Sequence, residues 1–183
     1  CSGIKQAHRV YVIGAGTAGF AAGQIAYYLR NIAHIDAQDV RSYEFKSYIP
    51  ILDRGDLIIA VSQSGETADT IEVLETVKAK GCKIASIVNM LGTTISRMSD
   101  YQFFTNAGPE ICVASTKVFT AQCAWGYILA KNIAKEGSDG QERVAILSKQ
   151  LKKYFNSRTY KTIQALVKVL KNKEHLFVLG KGE

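Results

Sequence analysis

Three short segments of this 183-residue sequence concentrate residue types that handle anions. The richest is Ser62-Gln63-Ser64-Gly65-Glu66-Thr67, between the apolar run Leu57–Val61 and a helical pattern. Hydroxyls at a helix start, where the first amides have no intrahelical partner, make an anion cradle that needs no cation. Gly65 lets the backbone curl around the anion. The segment lacks the Gly-Lys-Ser/Thr of a nucleotide P-loop, which argues against a triphosphate. The plainer reading is an N-cap by Ser64 in a hydroxyl-rich turn. The second segment, Gly14-Ala15-Gly16-Thr17-Ala18-Gly19, is a complete G-x-G-x-x-G between a strand and a helix. With Asp39 about 20 positions on, it fits a dinucleotide fingerprint; the alternative is a tight strand–helix turn. A dinucleotide fold, however, gives no reason for the hydroxyl loop at Ser62–Thr67. The third segment, Ala107-Gly108-Pro109-Glu110 to Ser115-Thr116-Lys117, again brings hydroxyls to a helix start. Lys117 is placed to reach a ligand or to pair with Glu110 or Glu66.

The elements that must carry these segments alternate. Strands are expected at 8–13, 34–40, 57–61, 82–88 and 101–104. Helices are expected at 17–33, with Phe20, Ile25, Tyr28, Leu29 and Ile32 on one face, and at 66–80 and 115–135. Short helical turns are expected at 41–48, stopping before Pro50, and at 93–99. This is an α/β pattern with a five-stranded parallel sheet flanked by helices. In such a sheet all three segments follow strand ends and gather at the carboxyl edge, where ligands bind. Two polar helices, at 140–155 and 157–172, follow as a connector. His175–Leu179 then reads as the first strand of a second unit. The echo of Val10–Gly16 in Phe177–Gly182 suggests a tandem duplication. The expected organisation is one binding domain over 1–137, a helical connector over 138–174, and the start of a truncated second domain at 175–183.

Composition narrows the function. The hydrophobic content of 47% and charged content of 21% exclude a disordered chain. No apolar run reaches the length of a membrane span, and no secretory leader is visible, so no membrane partner is expected. The net charge of +7 comes wholly from residues 131–183, while residues 1–130 balance. That is a solvated helix face and not the footprint of a nucleic-acid binder. Cys1, Cys82, Cys112 and Cys123 form no C-x-x-C, and His8, His34 and His175 are scattered. No metal site is expected, and the cysteine usage fits a reducing cytoplasm. Because the first residue is Cys1, the sequence is expected to be a piece of a longer protein.

Ser62–Thr70 (SQSGETADT), Gly108–Glu110 (GPE) and Val113–Gln122 (VASTKVFTAQ) resemble the sugar isomerase (SIS) domain of the glutamine–fructose-6-phosphate aminotransferase family. Asn89–Thr94 and Ser99-Asp100 also fit, and the similarity covers about residues 8–135 and 175–183. The resemblance implies a five-stranded flavodoxin-like domain, two such domains in tandem, a homodimer, and a separate glutaminase domain in the parent chain. It implies fructose 6-phosphate as substrate, glucosamine 6-phosphate as product and no cofactor. Carried over, the phosphate contacts fall on Ser62, Gln63, Ser64 and Thr67, and the sugar contacts on Val113 and Ser115, with Lys117 and Glu110 as further candidates. The family's first loop reads C-G-T-S; here Thr17 is kept, while Ala15 and Ala18 stand in place of Cys and Ser, leaving room for a divergent substrate. The family's acid/base Glu and its Lys and His partners belong to the second SIS domain, so no catalytic residue is expected in this chain. The competing functional readings are a non-catalytic SIS sensor of sugar phosphates, another aminosugar-phosphate isomerase, and an NAD- or FAD-binding domain.

Overall fold

The computed structural model describes residues 2–111 and 113–180. Cys1, Cys112 and residues 181–183 lie outside the described residues, and with them the reading of the N-terminal cysteine and the last part of the Phe177–Gly182 echo. Five strands form one sheet: β1 (Val10–Gly14), β2 (Ala37–Arg41), β3 (Leu57–Val61), β4 (Lys83–Val88) and β5 (Tyr101–Phe104). Their order is β2-β1-β3-β4-β5 and every pairing is parallel. Side chains alternate across a strand, so each buried strand feeds two cores. One face carries Val10, Val12, Leu57, Ile59, Val61, Ala85 and Ile87 against α2 (Gly16–Asn31) and α5 (Lys117–Ile133). The other carries Tyr11, Ile13, Ile58, Ala60, Ile84 and Val88 against the 3-10 helix Ser42–Ile51, α3 (Ala68–Ala79) and α4 (Thr94–Met98). The short α1 (Ser2–Gln6) precedes β1.

Order reversal at β1 and β3 sends α2 and α3 to opposite faces. It opens the carboxyl edge between the Gly14–Gly19 and Ser62–Thr67 loops. The helix α5 lies close to α2 because both are lined with small residues; a Cβ on Gly126 would come within 2.5 Å of Ile25 Cγ1.

Several expectations change. On α2, Ile25 and Leu29 are buried as expected, but Phe20 is 65% exposed, and the Arg41 guanidinium stacks 4.4 Å from its ring centroid. Alanines 18, 21, 22 and 26 share the core face with Ile25 and Leu29 instead. The 3-10 helix continues through Pro50 to Ile51; the fixed φ of the ring suits the helix, and one amide donor is lost in its last turn. Both long helices begin later than expected, α3 at Ala68 and α5 at Lys117. His175–Leu179 carries no regular structure, and Leu176, Phe177, Val178 and Leu179 are exposed. A strand needs a neighbour to take its amides and carbonyls, and the described residues supply none there.

Two compact units divide the chain, Cys1–Gln141 and Glu142–Glu183. Helix α6 (Gly137–Tyr154) begins in the first unit, where Lys131 Nζ pairs with Glu136 at 2.5 Å and Asp139 at 2.9 Å. The second unit contains the rest of α6 and α7 (Ser157–Leu170). The Asn156 side chain caps α7 by accepting from the amides of Arg158 and Thr159.

Candidate functional site

The Ser62–Thr67 loop leaves β3 and returns as α3, and its own hydroxyls shape it. Ser62 is buried; its amide donates to the Ile87 carbonyl and its Oγ accepts from the Gly65 amide at 3.0 Å. Ser62 Oγ also shares a hydrogen bond with Thr67 Oγ1 at 3.0 Å. Ser64 Oγ accepts from the Glu66 amide at 3.1 Å, so Ser64 organises a turn inside the loop. Thr67, not Ser64, holds the N-cap position of α3, and its side chain makes no capping bond. The Thr70 amide donates back to the Thr67 carbonyl, and the Thr67 side chain leaves the amides of Ala68 and Asp69 to an anion. Gly65 has φ +67°, and a Cβ there would meet Thr93 Oγ1 at 2.1 Å. Only glycine permits both that conformation and that approach.

Glu66 does not open α3. Its Oε1 accepts from the Thr94 amide at 2.6 Å, capping α4 across the loop. That backbone hydrogen bond holds its carboxyl below the usual carboxylate range. Glu110 does the same for α5: Oε1 accepts from the amide of Thr116 and its Oγ1, both at 2.8 Å, and from the Lys117 amide at 3.2 Å. Oε2 accepts from the Val118 amide at 3.3 Å. These bonds, led by the Thr116 amide, pull its pKa down. A carboxylate so fully engaged is a helix cap and a poor proton acceptor. Lys117 Nζ donates to the Pro109 carbonyl at 2.5 Å and to neither Glu66 nor Glu110.

Asn89, directly after β4, ties the Ser62–Thr67 loop to the loop at Ala107–Lys117. Its amide donates to the Gln63 carbonyl at 3.2 Å and its Nδ2 to the Gly108 carbonyl at 2.8 Å. Its Oδ1 accepts from Thr105 Oγ1 and the Ala107 amide. From the other side, Gln122 on α5 donates to the Ser62 carbonyl at 3.1 Å. Neither residue announces itself by type. The signal was position: Asn89 directly follows a buried strand, and Gln122 is polar on an apolar helix face.

The loops are thus joined, but the individual candidates differ in placement. Gln63, Ser64 and Thr67 are half-buried beside the buried Ser62. Thr17 is half-buried in the first turn of α2, following β1, the strand next to β3. Ser115 is half-buried just before α5, whereas the Val113 side chain is fully exposed. Ala18 lies in the α2-side core beneath the first loop. Asp39 is level with Val12, two residues short of the strand end at Arg41, and pairs with Arg30 at 3.6 Å. It is engaged with α2 and does not present itself to a ribose at the carboxyl edge. The side chain of Arg41 occupies the space beside Gly19, where a dinucleotide fold uses glycine for helix–strand packing.

The SIS domain family matches residues 3–131 of the chain. Among curated relatives, the chain is 44% identical over 147 residues to the isomerising glutamine–fructose-6-phosphate aminotransferase of Thermotoga maritima, covering 80% of this chain and 24% of that protein. To the enzyme of the same name from Pyrobaculum aerophilum it is 36% identical over 183 residues, covering 98% of this chain and 30% of that protein. Among solved structures it is similar to the C-terminal domain of glucosamine-fructose-6-phosphate aminotransferase from Francisella tularensis. There the TM-score is 0.74 at 27% identity, covering 95% of this chain and 51% of that one. The chain spans under a third of the length of these curated relatives. A five-stranded parallel sheet with its loops drawn together at the carboxyl edge, and a family match across nearly the whole of it, lead to one conclusion: this chain belongs to the SIS domain family.

Proposed function

We propose that this chain is the sugar-phosphate-binding domain of an isomerising glutamine–fructose-6-phosphate aminotransferase. The parent enzyme converts fructose 6-phosphate to glucosamine 6-phosphate. The observation that carries the proposal is the Ser62–Thr67 loop. Its hydroxyls surround the uncapped start of α3, held by Gly65 against Thr93. Ser62, Gln63, Ser64 and Thr67 receive the phosphate, with Thr17 at the neighbouring loop. Ser115 and Val113 line the sugar, and Lys117 and Glu110 stand behind them as further candidates. The parent's names among the relatives support an aminotransferase and isomerase with a glutaminase domain elsewhere in the chain. Dimerisation and a cytoplasmic location belong to the same reading. They are supported by the exposed apolar stripe Ile163, Leu166, Val167 on α7 and by cysteine usage without a pairing motif. So does a second SIS unit opening at 175–183, after a connector over 138–174, supported by the echo of Val10–Gly16. Calorimetry of the parent protein with fructose 6-phosphate and with fructose tests the proposal. Binding of the phosphate ester and not of the free sugar is expected, and equal affinity for both overturns it.

A further inference from the structure

Gln122 is fully buried in the second turn of α5, and only half of its amide is satisfied. Nε2 donates to the Ser62 carbonyl at 3.1 Å, while Oε1 is buried with no partner among the described residues. A carbonyl only accepts, so the amide must turn its nitrogen to Ser62 and leave its oxygen in the apolar interior. Packing alone does not ask for this residue. A methionine of similar length fills the space and buries no orphaned amide oxygen, but it gives up the bond to the Ser62 carbonyl. What the glutamine supplies is a bond to the peptide at which the proposed phosphate loop begins. The Ser62 amide is held by Ile87 on β4, its hydroxyl by Gly65 and Thr67, and its carbonyl by Gln122. The helix carrying Gln122 starts at the third loop, where Glu110 caps it. Gln122 therefore joins the segment expected to cover the sugar to the segment expected to hold the phosphate.

We infer that Gln122 is a positioning residue for the phosphate loop: its bond to the Ser62 carbonyl sets the orientation of the hydroxyls and amides that receive the phosphate. The inference rests on the proposed sugar-phosphate reading of that loop. In the full-length protein, Gln122→Met should raise the KM for fructose 6-phosphate and the Kd for inorganic phosphate on the order of tenfold, with kcat nearly unchanged. Gln122→Glu supplies a readout that packing does not move. Its protonated carboxyl donates to the Ser62 carbonyl as the amide does, and its ionised form repels it. Its phosphate affinity relative to wild type should therefore recover as pH falls, and this pair of measurements decides the matter if the methionine variant fails to fold. Wild-type affinity in either folded variant, or a pH-independent ratio for Gln122→Glu, overturns the inference. Ser64→Ala in the same assay separates the two levels. If it too binds phosphate as wild type does, the phosphate reading itself fails. If only it weakens binding, Gln122 alone has been misassigned.

Discussion

Ser64 and the two glutamates at the carboxyl edge look alike as candidates for chemistry, yet their hydrogen bonds give them different work. Ser64 Oγ accepts from the Glu66 amide and is half-exposed, which leaves its O–H proton to donate to a ligand. Ser64→Ala should weaken binding of fructose 6-phosphate by about tenfold, the order expected for one hydrogen bond to a charged group. Titration calorimetry on the parent protein checks it. Glu66 and Glu110 are spent on helix starts. Both have folded-state pKa values lowered chiefly by backbone amides, so the folded chain favours their ionised forms. That contribution is complete above the ordinary carboxylate pKa of about 4.3 and is lost as pH falls through the lower folded values. Thermal melts across this acid range should show wild type losing stability more steeply than Glu66→Gln/Glu110→Gln. Parallel curves would remove the capping role.

At the scale of elements, the loop after β3 is shaped by α4 as much as by its own residues. Gly65 has φ +67° and abuts Thr93; Gly92 has φ +69° with nothing within 4 Å of its Cβ position. Both substitutions to alanine carry the left-handed penalty of about 1–2 kcal/mol, but only Gly65→Ala adds a clash. Gly65→Ala should therefore lower the melting temperature more than Gly92→Ala and also weaken phosphate binding. Thr93→Ala, added to Gly65→Ala, should recover part of the loss, because the two sites share the contact. Additive effects in that double-mutant cycle would show that Thr93 does not set the loop.

For the whole molecule, the division of labour follows from which carboxylates are free. Isomerisation moves a proton between neighbouring carbons and needs a positioned general base. Near the loops the chain offers Glu66 and Glu110, both held as ionised caps. Residues 1–183 expressed alone should bind hexose 6-phosphate and form no glucose 6-phosphate from fructose 6-phosphate, while the parent protein does so. A coupled assay for glucose 6-phosphate on both proteins checks this. Comparable rates, abolished by Glu110→Gln, would move the chemistry into this domain.

Much of this is legible in the sequence. Buried strands such as Leu57–Val61 are continuous apolar runs, and hydroxyls crowded between such a run and a helix mark an anion loop whatever surrounds them. Local periodicity and turn chemistry carry that information, because they depend on neighbours in sequence. It failed where distant residues decide. Glu66 reads as the first turn of α3, yet it caps α4, because Thr94 is 28 residues away in sequence and 2.6 Å away in space. Phe20 reads as core, yet it lies on the surface, because Ala18, Ala21, Ala22, Ile25, Ala26 and Leu29 line the buried face of α2 and Phe20 falls outside that face. Asp39 reads as a ribose ligand, yet the parallel register sets it two residues below the sheet edge. Strand order, helix approach and loop-to-loop hydrogen bonds are long-range pairings. A single sequence carries no record of which residues 28 or 60 positions apart will meet.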